Sequence, residues 1–334
     1  MAVRQKRFGR TGLTIPEITF GGGWVGGLLI RAEEAVREAV LEKAMAAGVD
    51  WIDTAASYGQ GASERVIGGW LRKRQGPTPP RISTKFGVDV SGTPFKEQML
   101  ASVEASLERL GLDKVQLIIL HNRVVADGGE RPDRRSNTVS ELLASGGGAD
   151  AMDELKARGW CDHIGITALG EPAAVREVVE SGRFDVAQVY YNLLNPTAME
   201  PGGAGWNSTD FDGLLHACEA QDMGVMGIRI FAGGHLATSE RHGREVAITS
   251  NAEAAAEDAR VAAALDVIGS DHGVPAQAAL RFGLGCPLLS TIVVGLGDPE
   301  HFDFALAAVE MGPLPDSVEN ALGKLRARHP AFRS

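Results

Sequence analysis

Short apolar runs alternate with stretches of helical period along the chain. In residues 33–46, for example, the apolar residues Val36, Val40, Leu41 and Ala44 recur at steps that place them on one helical face. A strict alternation of strands and helices requires a parallel sheet whose strands are joined by helical crossovers. This alternation constrains the possible folds more than any other feature of the sequence.

Eight apolar runs have the length and composition of buried strands. The predicted strands are residues 18–20, 51–53, 82–85, 115–120, 163–166, 186–190, 225–228 and 291–294. The predicted helices are residues 33–46, 63–74, 95–110, 149–158, 172–181, 211–221, 275–284 and 299–309. Eight such units in 334 residues favour a single-domain α/β fold over residues 1–334, a (β/α)8 TIM barrel. An open doubly wound sheet is the alternative, but the glycine run at 21–27 does not match its phosphate-binding fingerprint.

Long connections follow the fourth, sixth and seventh predicted strands, at residues 122–148, 193–209 and 230–253. In a barrel these connections lie at the C-terminal face, where active sites are built. We therefore expect them to form the rim of a substrate pocket. The Thr11-Gly12 turn predicts an N-terminal β-hairpin that plugs the opposite end of the barrel, and residues 252–258 predict an alanine-rich helical surface.

Charge and cysteine usage exclude several classes of function. The formal net charge is −10, and the Lys/Arg clusters are short, so we expect no nucleic-acid partner. Cys161, Cys218 and Cys286 are scattered without zinc or disulfide spacing, which predicts a cytoplasmic protein with no metal site. The N-terminus does not resemble a signal peptide, and the uncharged stretch 282–297 is too short for a membrane span, so no membrane partner is expected.

Four polar residues lie at or just after the ends of three consecutive predicted strands. They are Asp53, Tyr58, Lys85 and His121. Barrel geometry brings such strand ends together on one face. A phenol with an ordinary pKa of about 10 is a weak acid, but a neighbouring ammonium stabilises its phenolate, and a buried carboxylate holds that ammonium in place. The four residues therefore predict a site for proton transfer.

These residues belong to motifs through which the chain resembles the aldo-keto reductase superfamily. The motifs, in order, are Arg7-Phe8-Gly9-Arg10-Thr11-Gly12-Leu13, Asp53-Thr54-Ala55-Ala56-Ser57-Tyr58-Gly59 with Ser63-Glu64, Thr84-Lys85-Phe86, Leu120-His121, Ile164-Gly165-Ile166-Thr167, Gln188-Val189-Tyr190-Tyr191-Asn192-Leu193-Leu194 and Val293-Val294-Gly295. The resemblance covers nearly the whole chain. The bacterial sugar 1-dehydrogenase branch is the most similar on overall resemblance.

The resemblance implies a role for each site residue. Tyr58 would be the general acid of carbonyl reduction, Asp53 and Lys85 would tune it, and His121 would orient the substrate oxygen while a nicotinamide cofactor delivers hydride. The cofactor would contact Asp53, Thr167 and Gln188, then Ile228, Arg229, Ile230, Phe231, Ala232 and Gly233 at the pyrophosphate, and Gly295, Gly297 and Asp298 at the adenosine. The substrate pocket would consist of Trp24, Tyr58, Phe86, His121 and Arg123.

Four positions depart from the common pattern of the superfamily. They are Ala168 in place of an asparagine, Ile228 in place of a stacking aromatic, Gly297 in place of a cation for the 2′-phosphate, and Ala305 in place of an asparagine facing the adenine. Asp298 would in addition repel a 2′-phosphate. The family default is NADP(H), but this site leans toward tolerating NAD(H).

The resulting prediction is an NAD(P)-dependent oxidoreductase that interconverts an aldehyde, ketone or sugar hemiacetal with its alcohol or lactone. Its partner would be a small carbonyl or sugar substrate, and its oligomeric state is left open. One alternative is a catalytically silent regulatory barrel that binds cofactor, like the reductase-shaped subunits of potassium channels. The other is a glycosidase, for which Asp53 and Glu64 form the only local carboxylate pair that the sequence offers.

Overall fold

The computed structural model describes residues 2–23, 25–76, 78–238 and 254–333. The strands in this part of the chain are β1 Gln5–Arg7, β2 Thr14–Pro16, β3 Ile18–Gly21, β4 Trp51–Asp53, β5 Arg81–Phe86, β6 Val115–Leu120, β7 Arg123–Val125, β8 Ser136–Thr138, β9 Cys161–Ala168, β10 Val186–Tyr190, β11 Gly224–Ile228 and β12 Thr291–Gly295. The α-helices are α1 Leu28–Arg31, α2 Glu34–Ala46, α3 Ala62–Lys73, α4 Phe95–Leu110, α5 Val139–Leu143, α6 Gly148–Ala157, α7 Pro172–Glu180, α8 Leu214–Ala220, α9 Ala254–Ile268, α10 Pro275–Gly285, α11 Pro299–Met311 and α12 Asp316–Arg328.

Parallel strands close into a barrel in the order β10-β11-β12-β3-β4-β5-β6-β9. Each of the strands β3 to β6 and β9 to β11 pairs with its neighbour along the chain among the barrel strands, and β12 closes the ring against β3. The (β/α)8 prediction is confirmed, and the open doubly wound sheet is wrong because no barrel strand is left with a free edge in the described residues. The C-terminal strand ends consequently meet on one face of the barrel.

The barrel interior is filled separately from the layer between strands and helices. Phe8, Ile15, Trp51, Leu117 and Met226 belong to one buried cluster inside the barrel floor. Phe8 and Trp51 meet edge to face, with ring centroids 5.3 Å apart. Since β1 and β2 pair as an antiparallel hairpin next to these residues, the predicted N-terminal plug is confirmed. The opposite end of the barrel is left for the site.

The connection at 122–148 contains more secondary structure than its sequence predicts. Residues 122–148 contain the parallel pair β7 and β8 and the short helix α5, which a Thr138–Glu141 capping box begins. Of the predicted helical surface at 252–258, residues 254–258 are the start of α9, and residues 252 and 253 lie outside the described residues. Glu257 and Arg260 of α9 are buried and paired at 2.6 Å. Helix α12 lies beyond the predicted repeat units. Within the described ranges, none of the helices is long and apolar enough to cross a membrane.

Candidate active site

A cavity of about 360 Å³ opens at the C-terminal ends of the barrel strands. Many of the residues singled out in the sequence line it. They are Asp53, Tyr58, His121, Thr167, Gln188, Ile228, Arg229, Ile230, Phe231, Gly233, Gly295, Gly297 and Asp298. We call the part of this cavity lined by Asp53, Tyr58 and His121, with the buried Lys85 beneath them, the tetrad side. The part lined by Gly295, Gly297, Asp298 and His301 is the glycine side.

A buried ion pair lies beneath the tetrad side. Lys85 Nζ donates to Asp53 Oδ2 at 2.5 Å and to Tyr58 Oη at 3.2 Å. The Lys85 and Asp53 side chains are 1% and 3% exposed, so water does not screen their attraction. Burial by itself lowers the pKa of Lys85, but the charges of Asp53 and Tyr58 outweigh it and raise that pKa above its ordinary value. Lys85 is therefore a fixed cation in contact with a phenol oxygen.

Hydrogen bonds from two other barrel strands hold the carboxylate of this pair. Ser83 Oγ and Gln188 Nε2 both donate to Asp53 Oδ1, each at 2.8 Å. Asp53 ends β4, Ser83 lies in β5 and Gln188 lies in β10, so the bonds link three strands across the barrel interior. A buried carboxylate whose oxygens are satisfied in this way is held in one orientation. This network fixes Lys85 with respect to the barrel.

A tight turn after β4 returns Tyr58 to the cavity. The Ala56 N–H donates to the Lys85 carbonyl at 3.0 Å, and the Tyr58 N–H donates to the Ala55 carbonyl at 3.1 Å. The turn continues into residues of positive φ, including Gln60 at 53° and Gly61 at 81°, before α3 begins. The local sequence thus folds the phenol back over the ammonium of the neighbouring strand.

His121 faces the phenol across the tetrad side. The Tyr58 and His121 rings meet edge to face with centroids 5.9 Å apart, and Ser57 Oγ lies 3.5 Å from His121 Nδ1. Burial, followed by the charges of Lys85, Arg135 and Arg229, lowers the pKa of His121 to about 3. The imidazole is therefore neutral near pH 7, with one N–H to donate and one nitrogen to accept.

One buried polar atom that faces the cavity lacks a partner. Thr167 Oγ1 forms no hydrogen bond within the described part of the chain, although the residue is only 3% exposed. Buried hydroxyls without partners are uncommon, because leaving them unsatisfied is costly. Thr167 sits on β9 beside Gln188 of β10, with which it is in register. An amide-bearing ligand such as a nicotinamide carboxamide would satisfy this atom, so the residues present fit that group.

The glycine side differs in character from the tetrad side. Around a Cβ placed on Gly295, there is no described heavy atom within 4 Å, so the strand end leaves open space there. His301 Nδ1 accepts from the backbone N–H groups of Gly297 at 3.2 Å and Asp298 at 3.3 Å. His301 also lines the cavity, although it is not among the site residues predicted from the sequence. The three-residue spacing of Asp298 and His301 across the start of α11 is the capping-box pattern that could have indicated it.

The structure places other predicted residues away from this cavity. Phe86 is buried in the core against the Phe95 ring, at a centroid distance of 6.0 Å, and does not line the cavity. Arg123 is exposed and lies 3.5 Å from Asp133, and Ala232 is buried and is not among the residues that line the cavity. These three assignments are therefore corrected, because the strand alternation and loop path turn their side chains elsewhere. Trp24 lies outside the described residues.

The carboxylate pair of the glycosidase alternative is not available at the cavity. Glu64 is fully buried and accepts from Thr84 Oγ1 at 2.5 Å and from Arg109 Nε at 2.7 Å. It does not line the cavity, while Asp53 is bound to Lys85. Two carboxylates flanking a sugar are the requirement of that chemistry. Within the described residues, no cluster of three or more His, Cys, Asp or Glu side chains is placed to hold a metal.

Comparison with known proteins identifies the family. Residues 17–327 match the family model described as Aldo/keto reductase family. The chain belongs to the aldo/keto reductase family. It is 31% identical to D-threo-aldose 1-dehydrogenase of a Pseudomonas species, in an alignment that covers 93% of this chain and 95% of the relative. It is 26% identical to pyridoxal 4-dehydrogenase of Microbacterium luteolum, over 90% and 91% of the two chains.

The fold of this aldo/keto reductase is shared with solved structures. An aldo-keto reductase from Bacillus halodurans in its holo form superposes with a TM-score of 0.71 at 19% identity, over 98% of this chain and 97% of that chain. Its apo form superposes with a TM-score of 0.68 at 20% identity. These likenesses concern the fold. Membership of the family, which the motifs predict, is confirmed, and it makes the chain an oxidoreductase.

Proposed function

We propose that this protein is an NAD(P)-dependent oxidoreductase that interconverts an aldehyde or sugar with its alcohol or lactone, and that Tyr58 is its general acid and base. The observation that carries the proposal is the contact of Lys85 Nζ with Tyr58 Oη at 3.2 Å, at the wall of the cavity. A nicotinamide bound in this cavity would supply or accept the hydride. The unpartnered Thr167 Oγ1 and the open space over Gly295 support its placement.

The chain's own residues supply the proton chemistry. In the reducing direction, Tyr58 Oη donates its proton to the substrate oxygen as negative charge develops there. Lys85 stabilises the phenolate that remains, because an ammonium within hydrogen-bond distance favours the charged form. Asp53 keeps that ammonium from leaving the site. In the oxidising direction, the same phenolate accepts the proton of the alcohol.

His121 orients the substrate oxygen in this scheme. A neutral imidazole donates a hydrogen bond without competing as a proton source. Because its pKa is lowered to about 3 by burial and by the nearby cations, His121 keeps this state throughout the working range of the reaction. The rate is therefore expected to show no acid limb between pH 5 and 8 that belongs to His121.

The relatives support the class of substrate. The two similar dehydrogenases act, by their names, on a D-threo-aldose and on pyridoxal, a sugar and an aldehyde. Both span nearly the whole of this chain.

The free Cys161, Cys218 and Cys286 are all buried. Free cysteines without disulfide partners support the cytoplasm, where thiols stay reduced, as the location of this protein.

Steady-state assays with a tyrosine pair test the proposal. We expect the purified protein to reduce 4-nitrobenzaldehyde with NADPH or NADH, or to oxidise an aldose with the oxidised cofactor. Tyr58→Phe removes one proton donor and should lower kcat/KM by on the order of 10²- to 10⁴-fold, with cofactor affinity nearly unchanged. The matched control is Tyr191→Phe, since that ring is stacked on Phe282 in the core, at 5.3 Å.

Three outcomes would contradict the proposal, and the first of them favours the silent regulatory barrel. Cofactor binding without turnover of any aldehyde or aldose would favour the regulatory barrel. Near-normal turnover in Tyr58→Phe would remove the proton donor from the scheme. Equal losses in Tyr58→Phe and Tyr191→Phe would indicate damage to the fold instead of to the chemistry.

A further inference from the structure

Two arginine side chains stand beside the tetrad side without an acidic partner. Arg229 follows β11 and lines the same cavity as Tyr58 and His121. Arg135 is exposed, and its Cζ lies 3.5 Å from the position that a Cβ on Gly87 would occupy, just beyond the end of β5. Neither guanidinium forms a hydrogen bond or ion pair with a residue in the described ranges.

The neighbouring arginines on the same loop are paired. Arg134 Nη1 lies 3.7 Å from Asp89 Oδ2, and Arg123 Nε lies 3.5 Å from Asp133 Oδ2. The formal net charge of the chain is −10, so acidic side chains outnumber basic ones. Arg229 and Arg135 are therefore a local excess of positive charge in a chain whose net charge is negative. Cavities lined by one sign of charge concentrate ligands of the opposite sign.

The backbone of Arg229 is held in an unusual conformation. Its φ is 61°, in the left-handed region that residues with a side chain seldom adopt. Asn192 Nδ2 and the Ala232 N–H both donate to the Arg229 carbonyl, at 3.0 and 2.8 Å. These bonds fix the direction in which the arginine leaves the strand end. Strain of this kind persists where the surrounding structure enforces it, often at functional positions.

The electrostatic effect of the two arginines is seen at the catalytic imidazole. After burial and the charge of Lys85, the next causes that lower the pKa of His121 are Arg135 and Arg229. Both guanidinium groups therefore act on the position where the substrate oxygen would sit. The cationic field extends from the buried Lys85 to the mouth of the cavity.

We propose that Arg229, which the family resemblance assigns to the cofactor pyrophosphate, instead forms with Arg135 an anion subsite that binds a carboxylate or phosphate group carried by the carbonyl substrate. This inference rests on the proposed function, since it names the class of aldehyde or sugar that the reductase accepts. Arg229 lines the cavity, and Arg135 adds a second charge near the end of β5. Guanidinium groups bind carboxylates and phosphates through charge-assisted, frequently bidentate hydrogen bonds.

A matched pair of aldehydes tests the subsite. We expect 4-carboxybenzaldehyde to be preferred over 4-nitrobenzaldehyde in kcat/KM, by about tenfold or more, because a hydrogen bond to a charged group is worth roughly that factor. Arg229→Gln should abolish this preference, with most of the change in KM. Arg135→Gln should reduce it only a few-fold, roughly, because an exposed charge is screened by water. Arg134→Gln, the neighbouring arginine paired with Asp89, is the control and should retain the full preference.

A phosphate substrate and a non-reacting anion extend the test. Glyceraldehyde 3-phosphate against glyceraldehyde distinguishes phosphate from carboxylate as the preferred group. Calorimetric titration with benzoate measures the subsite without turnover, and Arg229→Gln should weaken that binding by about tenfold or more. Benzoate binding that depends on Arg229 in a protein that turns over neither aldehyde would overturn the proposed function and keep the subsite.

Other outcomes overturn the subsite itself. Equal losses for both aldehydes in Arg229→Gln would show that the arginine does not discriminate by charge. A weaker binding of NADH or NADPH in Arg229→Gln, with the aldehyde preference unchanged, would assign the arginine to a phosphate of the cofactor. Benzoate binding equal in wild type and Arg229→Gln would leave no anion subsite at this position.

Discussion

The tetrad side and the glycine side line one cavity but are built differently. On the tetrad side, Asp53 and Lys85 are almost wholly buried and bound to each other at 2.5 Å. On the glycine side, Asp298 has a side chain that is 75% exposed, and its Oδ2 lies 4.0 Å from His301 Nε2. The first is enclosed by barrel strands, and the second is the start of a surface helix.

This difference decides how each side can be altered. A buried charge pair is costly to break, because the remaining partner is left without solvent or counter-ion. An exposed helix start tolerates a new side chain, and the charge placed there is screened. We therefore expect changes on the tetrad side to abolish the chemistry, whereas changes on the glycine side should adjust the choice of cofactor.

The largest expected effect after loss of the phenol is that of Lys85→Met. Without the ammonium that now lies 3.2 Å from Tyr58 Oη, the phenolate loses its stabilising charge. Carbonyl reduction should fall by on the order of 10²-fold or more. Any alkaline limb of the rate profile should move to higher pH.

The pH profile distinguishes this effect from simple misfolding. Lys85→Met also leaves Asp53 without its cation, so Lys85→Met combined with Asp53→Asn is the matched variant that restores charge balance. We expect the double variant to recover stability but not rate. An alkaline limb in the same place as in the wild type would remove Lys85 from the role of tuning the phenol.

Glu64→Gln tests a second buried carboxylate, which we expect to stabilise the fold and to take no part in the reaction. Glu64 binds Thr84 and Arg109 but does not face the cavity. Replacing its charge should lower the free energy of unfolding by about 1 to 3 kcal/mol, because Arg109 keeps a poorer partner. Thermal unfolding measures this loss, and kcat for the aldehyde should stay close to that of the wild type.

An exposed carboxylate gives the comparison for that loss. Glu154 bonds Arg158 at 2.6 Å on the surface of α6, and Glu154→Gln should leave the midpoint of thermal unfolding nearly unchanged, because water screens an exposed ion pair. If Glu64→Gln lowered kcat as severely as Lys85→Met at unchanged stability, Glu64 would belong to the chemistry and the glycosidase pair would need to be considered again.

The sequence could predict the tetrad because barrel geometry determines it. Asp53 and Lys85 lie at the C-terminal ends of β4 and β5, and His121 directly follows β6. The strand ends of a closed parallel barrel meet on one face whatever the conformation of the loops. Phe86 is assigned to the pocket from its motif alone, and a motif does not show which face of the strand each side chain occupies. Phe86 follows Lys85 directly, so alternation along β5 turns its ring outward to Phe95 of α4.

Loop-borne residues of the site could not be predicted in the same way. The direction of Arg229 depends on a left-handed backbone that Asn192, distant in sequence, holds by a hydrogen bond. His301 takes part through its own helix cap, a contact that depends on where α11 begins. Such positions follow from tertiary contacts, since loop conformation is weakly encoded in local sequence.

The smallest expected effect concerns the cofactor preference, at the glycine side. In the described residues that line the cavity there, Asp298 and His301 are the charged or titratable groups, and no lysine or arginine is among them. A phosphate on the ribose would lack a cationic partner and would meet the Asp298 carboxylate. A charge-assisted hydrogen bond to arginine is worth about 1.5 to 3 kcal/mol, so the customary preference for NADPH should be smaller here by at least about tenfold.

Gly297→Arg should restore that preference. A Cβ on Gly297 would lie 3.3 Å from His301 Cε1 and 3.6 Å from the Gly26 carbonyl oxygen, so a small shift of the imidazole admits the new side chain. Parallel fluorescence titrations should show tighter NADPH binding, more so with Asp298→Ser, and little change for NADH. The matched control is Gly297→Gln, which adds similar bulk without charge.

Other cations of the chain are the alternative partners of the 2′-phosphate. Arg241 and Arg244 lie outside the described residues, and Arg326 donates to the Leu193 carbonyl at 2.9 Å. If the unaltered protein already binds NADPH a hundredfold more tightly than NADH, the argument from the missing cation is wrong, and Arg241→Gln, Arg244→Gln and Lys324→Gln become the variants that locate the phosphate partner.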